Sequence, residues 1–296
     1  MKDIVESHDN TAQDMEVSWA AFHASNIEND SGNPTDISSL LPLFAEKSNS
    51  PAMIRHTMNI IKQNVEFLNP GQTPVIAFDQ PLFALAKQIQ WNWPTTYGEG
   101  KIVVVFGGLH IEMAAFKTIG DWLDESGWTS AFAEAGVASP GTADSFLKAS
   151  HLTRTRHAHQ ITASSLSILM HRAYDEYGKS LAADEMPQAF EAWRNKRIAE
   201  SPQFNYWSTT LEFELTILSF VRSLREGNFK LYIEALDQLM PWFFALDHLH
   251  YSRWLPVHLH DMIHLGSMHP DVAAQFQCGN FVIKKTHRSN IFFHSH

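Results

Sequence analysis

The sequence predicts a predominantly helical α+β fold built around a small, partly parallel sheet. Two short apolar runs each lead into an amphipathic helical pattern, and the chain beyond Gly127 is helical almost throughout. A hydrophobic content of 44% over 296 residues is ample for a buried core. Cys278 is the single cysteine, which excludes an internal disulfide framework and favours an intracellular location, cytoplasmic or nuclear.

The first third of the chain contains the predicted sheet. Residues 1–36 are rich in Asn, Asp and Ser, so we expect a poorly ordered segment. Residues 37–127 form the strand–helix core: a helical pattern over 37–67 stops at "NPGQ", and two similar units follow it. "TPVIAFD" leads into "QPLFALAKQIQW", and "KIVVVFGG" leads into "LHIEMAAFKTIGDWL". Each unit reads as a buried strand followed by a helix, which predicts parallel neighbours.

The rest of the chain is predicted to be helical. Residues 128–278 carry helical patterns at about 143–150, 156–178, 186–199, 208–225, 228–246 and 249–264. "GNFVIKKT", residues 279–286, predicts one strand that returns to the sheet, and residues 287–296 form a separate tail.

Composition excludes several classes of function. A formal net charge of −10 argues against a broad phosphate-binding surface. No apolar run approaches the roughly 18 residues that a membrane span needs, and no signal-peptide pattern is present, so we expect neither a membrane association nor export. The Walker loop, the complete dinucleotide fingerprint and the GxSxG motif are missing, so no small-molecule cofactor is evident.

The ends of the two predicted strands hold the first candidate site. Asp79 follows the first strand, while His110 and Glu112 follow the second after the pair Gly107 and Gly108. Ligands of open α/β folds bind at this edge, so these three residues are the candidate catalytic residues. Each also has a structural alternative: Asp79 as a helix cap, His110 as a hydrogen-bonded structural residue, and Glu112 as an acid favoured by the helix dipole.

Histidines crowd the predicted helices near the C-terminus. "ALDHLHYSRWLPVHLHDMIHLGSMHP" includes His260 and His264, an i, i+4 pair on one helical face that is suited to a transition metal such as Zn²⁺. The pair lacks the intervening Glu of the zinc-protease motif. The alternative is a polar surface for helix packing.

Much of the chain resembles a family of transposon-derived proteins. The strings that carry the resemblance run from "ISSLLPLF" through "LNPGQTPVIAFDQPLFALAKQIQWNWP", "VVFGGLHIEMAAFKTIGDWL" and "PWFFALDHLHYSRWLPVHLHDM" to "GNFVIKKT", over roughly residues 37–286. This family of uncharacterised proteins occurs in cnidarians and other aquatic animals. "FDQPLF" followed by "GGLH" is also similar to the "GDQ" and "GDFH" of mobile-element proteins with a ribonuclease H-like transposase core.

The resemblance implies a ribonuclease H-like remnant with a large helical insertion. By that analogy Asp79 is an acidic ligand for Mg²⁺ or Mn²⁺, His110 is its neighbour in the site, and the ancestor bound DNA. The insertion then includes Arg253 and Trp254. Two-metal phosphoryl transfer needs carboxylates that hold two ions about 4 Å apart.

Two departures from the pattern predict an inactive chain. Gly108 stands where the broader pattern has a second Asp, and the tail "HRSNIFFHSH" replaces a segment whose Glu suits the last acidic position. We therefore expect an inactive or truncated transposase or integrase fragment.

Two further hypotheses belong to other classes of function. One is a zinc-dependent hydrolase using His248, His250, His260 and His264. The other is a helical interaction or self-association module that uses Trp207, Trp242 and Phe243.

Overall fold

The structure is a computed structural model that describes residues 50–181 and 186–282. Its first half alternates strands with helices: α1 (Pro51–Leu68), β1 (Val75–Phe78), α2 (Gln80–Asn92), α3 (Pro94–Tyr97), β2 (Val103–Phe106), α4 (Gly108–Leu123), α5 (Trp128–Glu134) and α6 (Pro140–Leu147). Its second half is helical: α7 (Leu152–Ser180), α8 (Phe190–Glu200), α9 (Pro202–Glu226), α10 (Phe229–Ala245), α11 (Leu249–Ile263), α12 (Leu265–Met268) and α13 (Pro270–Gln277).

The predicted fold class is confirmed at the level of a mostly helical α+β protein with a small parallel sheet. Strands β1 and β2 pair in parallel, with Val75 opposite Val103 and Phe78 opposite Phe106. Helices α2 and α3 lie in the connection between them, because parallel neighbours need a crossover. Both predicted strand–helix units are therefore present, and within the described ranges the sheet has two strands.

The predicted returning strand is absent from the part of it that the structure describes. Residues 279–282 form turns and a bend, and residues 283–286 lie outside the described ranges. Phe281 instead packs its ring against Phe229, at the start of α10, with ring centroids 5.4 Å apart. The predicted disordered segment 1–36, the first part of the 37–67 helix and the tail 287–296 lie outside the described ranges as well.

One continuous core joins the sheet to the helical region. The inner face of the sheet buries Ile76, Phe78, Val104 and Phe106. Helix α11 packs on β2, and the long helices α9 and α10 pack on α4. Phe83 of α2 stacks on Phe106 at 4.9 Å. No helix in the described part of the chain is both long enough and apolar enough to cross a bilayer.

Candidate functional site

The ends of β1 and β2 lie side by side. The Gly107 N–H donates to the Phe78 carbonyl oxygen at 2.8 Å, so the residue after β2 lies directly beside the end of β1. The residue that follows β1 is Asp79, and α4 begins one residue after Gly107. The parallel register therefore brings Asp79 and the first turn of α4 to the same sheet edge.

Asp79 is the N-cap of α2. Its Oδ1 atom accepts a hydrogen bond from the Leu82 N–H at 3.1 Å, and Pro81 lies in the first turn, where a missing N–H costs nothing. The side chain is half-buried. One carboxylate oxygen thus satisfies a helix end, which is the structural alternative that the sequence left open.

The glycine pair provides space for close packing. A Cβ on Gly107 would lie 3.0 Å from the Phe78 carbonyl oxygen, and one on Gly108 would lie 3.0 Å from the Leu224 side chain of α9. The φ angle of Gly107 is −61°, a value that any residue can adopt. A larger residue here would push α4 away from the sheet and from α9.

His110 shares the edge with an aromatic residue of α11. The Tyr251 hydroxyl donates to the His110 carbonyl oxygen at 3.1 Å, and its ring stacks on Phe106 at 5.5 Å. Burial raises the pKa of Tyr251, and the negative charge of Asp79 raises it further, so this phenol stays neutral. The sequence placed Asp79 and His110 at this edge but did not single out Tyr251, whose position depends on how α11 packs.

Glu112 takes part in a buried ion pair. Its side chain is 2% exposed, and both of its carboxylate oxygens accept hydrogen bonds from the Arg156 guanidinium of α7, one of them at 2.7 Å. Such a two-point pair fixes α4 against α7. Arg156 belongs to a basic stretch of the sequence, "TRTRH", but nothing in the local pattern indicated its partner.

A neutral histidine covers the outer edge of β2. His258 of α11 is fully buried; its Nε2 lies 2.7 Å from the Tyr232 hydroxyl, and its Nδ1 accepts a long hydrogen bond of 3.5 Å from the Phe106 N–H. Burial, with the positive charge of Lys87 nearby, lowers the pKa of His258 to about 3. This ring is therefore uncharged at neutral pH, and it accepts the N–H of Phe106, which points away from β1 at the end of β2.

Lys87 is the centre of a second charged cluster. Its buried ammonium contacts Glu99 Oε1 at 2.5 Å and Asp261 Oδ2 at 2.8 Å, which joins α2 to α11. Burial raises the pKa of Asp261, with Lys87 acting in the opposite direction. Burial also acts to raise the pKa of Glu99, but hydrogen bonds from Lys87 and Trp91 outweigh it and lower that pKa overall. The Lys87 ammonium therefore pairs with both acids, but it lowers the overall pKa of Glu99 and not that of Asp261.

The C-terminal histidines serve separate local roles. His248 bonds Asp121 at 3.1 Å, and His269 bonds the Glu99 carbonyl oxygen at 2.6 Å. The rings of His260 and His264 lie 4.2 Å apart between centroids, and His264 Nδ1 lies 2.9 Å from the His260 carbonyl oxygen.

No three side chains of His, Cys, Asp or Glu within residues 50–181 and 186–282 are grouped to hold a metal ion. The candidates Asp79, His110 and Glu112 therefore form no metal-binding triad there, and neither do the histidines.

The chain belongs to a family described as a domain of unknown function, DUF8702, which it matches over residues 18–196 and 171–295. No curated protein and no solved structure matches the chain. The family assignment thus covers both the strand–helix half and the helical half.

Proposed function

We propose that the chain is a transposon-derived protein with a ribonuclease H-like strand–helix remnant, and that it acts as a helical scaffold without nuclease activity. One observation carries the proposal: Asp79 lies where an acidic metal ligand is expected, yet its carboxylate caps α2. The order strand, helix, strand, helix with parallel pairing supports the ribonuclease H-like interpretation.

The small number of carboxylates at the sheet edge supports the absence of nuclease activity. Holding two divalent ions about 4 Å apart requires more than one carboxylate at the edge. Gly108 provides none, and Glu112 is neutralised by Arg156. Among the described residues, Asp79 is thus the one acid of the three candidates that is available to this edge, and Tyr251 packs beside it.

The ionic character of the chain supports a scaffold more than a DNA-binding enzyme. The formal net charge is −10, and most DNA affinity comes from cations that neutralise phosphates. Arg156, one of the cations in the basic stretch near the start of α7, is already paired with Glu112. DNA binding is accordingly assigned to the ancestral transposase.

Metal titration and DNA cleavage test this proposal together. Mn²⁺ is titrated calorimetrically into the wild type, Asp79→Asn and the control Asp237→Asn, an exposed acid of α10. The same proteins are incubated with supercoiled and linear DNA and Mg²⁺ or Mn²⁺. We expect no Asp79-dependent binding and no cleavage. Cleavage that Asp79→Asn abolishes and Asp237→Asn retains would overturn the proposal.

The paired rings of His260 and His264 favour a second candidate, a zinc-binding role for α11. Both side chains are exposed, and the hydrogen bond from His264 Nδ1 to the His260 carbonyl leaves His264 Nε2 free to bind a metal. A double His260→Ala/His264→Ala variant should lose Zn²⁺ binding relative to the wild type. Equal Zn²⁺ binding by the two proteins would show that the metal binds at another place, and it would contradict a zinc-binding role for α11.

A further inference from the structure

An open pocket of about 380 Å³ lies between the end of α4 and the start of α9. Three aromatic side chains, Trp122, Tyr206 and Trp207, form part of its wall, and each is half-buried. Tyr206 stacks on Trp122 with centroids 5.0 Å apart and meets Trp207 edge-on at 5.0 Å. The wall is thus a continuous aromatic surface that remains partly open to solvent.

Two hydrogen bonds fix the aromatic side chains of the pocket wall. The Trp122 indole N–H donates to the Thr210 hydroxyl at 2.9 Å, and the Tyr206 hydroxyl donates to the Trp122 carbonyl oxygen at 2.8 Å. Burial raises the pKa of Tyr206, so its ring is neutral at physiological pH. The rings are therefore positioned before any ligand arrives, which reduces the entropic cost of binding.

Two carboxylates complete the lining. Asp124 and Glu125 are both exposed, and neither forms a salt bridge among the described residues. Glu125 has a φ angle of 57°, which is uncommon for a residue with a side chain. Asp124 Oδ1 accepts the Glu125 N–H at 3.1 Å, which stabilises this turn. Two negative charges thus remain uncompensated beside the aromatic wall.

This combination selects positive charge. An aromatic face attracts a cation through its quadrupole, and a neighbouring carboxylate adds direct Coulomb attraction. An anion is repelled by the two acids, whereas a neutral sugar can donate hydroxyl hydrogen bonds to them but gains no net Coulomb attraction. The net charge of −10 increases the local concentration of cations and disfavours anionic ligands.

We propose that the pocket formed by Trp122, Tyr206, Trp207, Asp124 and Glu125 binds an organic cation of the alkylammonium or guanidinium type. The cation is either a free amine or the side chain of a lysine or arginine in a basic partner segment. The site is independent of the sheet edge, because Trp122 and His110 lie at opposite ends of α4. Of the three aromatic residues in the interaction-module hypothesis, Trp207 alone lines this pocket. Phe243 is buried, and Trp242 stacks on Phe213 with ring centroids 4.0 Å apart.

Calorimetric titration with four probes tests the proposal on the full chain. The probes are choline, acetyl-Gly-Lys-Gly-amide, acetyl-Gly-Arg-Gly-amide and, as an uncharged control, acetyl-Gly-norleucine-Gly-amide. We expect binding in about the millimolar range for at least one cationic probe and none for the norleucine peptide. Tighter binding of choline than of the peptides identifies a free alkylammonium ion as the source, and tighter binding of a peptide identifies a basic partner segment.

Variants distinguish this pocket from general charge attraction. Asp124→Asn/Glu125→Gln should weaken cation binding by about fivefold, and Trp207→Leu by about threefold. Asp237→Asn removes one acid from α10, outside the pocket, and should leave the affinity unchanged. Circular dichroism and thermal unfolding check that each variant folds.

Two results would overturn the proposal. One is the absence of binding by all three cationic probes. The other is binding that the folded Asp124→Asn/Glu125→Gln variant retains at full strength, because the cation would then bind at another place.

Discussion

The polar groups at the two ends of α4 differ in burial and in pairing. In its first two turns, Glu112 is buried against Arg156 and the His110 carbonyl accepts a hydrogen bond from Tyr251. Just beyond its last turn, Asp124 and Glu125 are exposed and make no salt bridge among the described residues. The sheet edge, where open α/β folds place chemistry, uses its polar groups for structure, whereas the opposite end keeps its charges available.

The distance between the ends makes the two regions separable by experiment. Twelve residues from His110 to Trp122 correspond to about 18 Å of helix. The two regions are connected through α4 and through α9, which meets Gly108 with Leu224 and lines the pocket with Tyr206 and Trp207.

The largest effect is expected from Arg156→Leu. Removing the guanidinium leaves the Glu112 carboxylate buried without its partner, which should cost about 3–5 kcal/mol in the free energy of unfolding measured by urea denaturation. The double variant Glu112→Leu/Arg156→Leu should recover much of this loss. Lys117→Ala breaks an exposed i, i+4 pair on the same helix and should cost at most about 0.5 kcal/mol. A loss below about 1 kcal/mol for Arg156→Leu would contradict a structural role for the pair.

Gly120→Ala should be the next most destabilising change. A Cβ at this position would lie 2.0 Å from the Leu147 carbonyl oxygen, so α4 and α6 must move apart. We expect a net loss of about 2 kcal/mol, even though alanine favours a helix. Gly141→Ala in α6 meets nothing within 4 Å and is the matched control; it should be neutral or stabilise by up to about 1 kcal/mol. A Gly120→Ala protein as stable as the wild type would show that the end of α4 is not held closely.

We expect His258 to make the folded chain less stable in acid. Its pKa is about 3 in the folded chain and near 6.5 when unfolded, so the unfolded state binds the extra proton between these values. The contribution of neutral His258 to the free energy of unfolding is therefore largest above pH 6.5 and falls as the pH falls. Between pH 6.5 and 5 we expect the free energy of unfolding to fall by about 1.5 kcal/mol through this residue. Denaturant unfolding of the wild type and His258→Gln across this range should show a shallower pH slope for the variant. Identical slopes would mean that another group controls acid unfolding.

The smallest effect on stability is expected at Asp79, where it tests whether the side chain acts as a helix cap. Asp79→Ala removes the acceptor for the Leu82 N–H and should cost about 1 kcal/mol, whereas Asp79→Asn keeps an acceptor and should cost a few tenths. Thermal unfolding of the three proteins measures this order. If Asp79→Ala and Asp79→Asn are equally stable, capping is not the role of this side chain.

The strand–helix half of the fold was predictable, because its signals are local. The runs around Val75 and Val103, the turn residues that end them and the helical spacing after them predict two parallel strands and their helices. The same reasoning predicted a strand over 279–286, and its described part, residues 279–282, forms turns and a bend. A short apolar pair such as Phe281 and Val282 does not by itself distinguish a strand from a segment that packs against Phe229.

The candidate site was predicted in position but not in its interactions. The sequence placed Asp79 and His110 at one sheet edge, because parallel strands carry their C-terminal ends to the same side. It did not reveal Tyr251, Arg156 or His258 as their surroundings, since these residues come from α11 and α7, far along the chain. Spacing within a helix carries no information about which distant helix packs on it.

The sequence by itself determined the helical content, the two strands and the edge where Asp79 follows β1, since these depend on residue spacing and on turn chemistry. Tertiary structure decided which charges are buried and which remain free. Glu112 and Glu125 are both glutamates near the ends of one helix, yet one is paired inside the core and the other lines an open pocket. That difference arises from packing between distant helices, which sets the burial and the partner of each carboxylate.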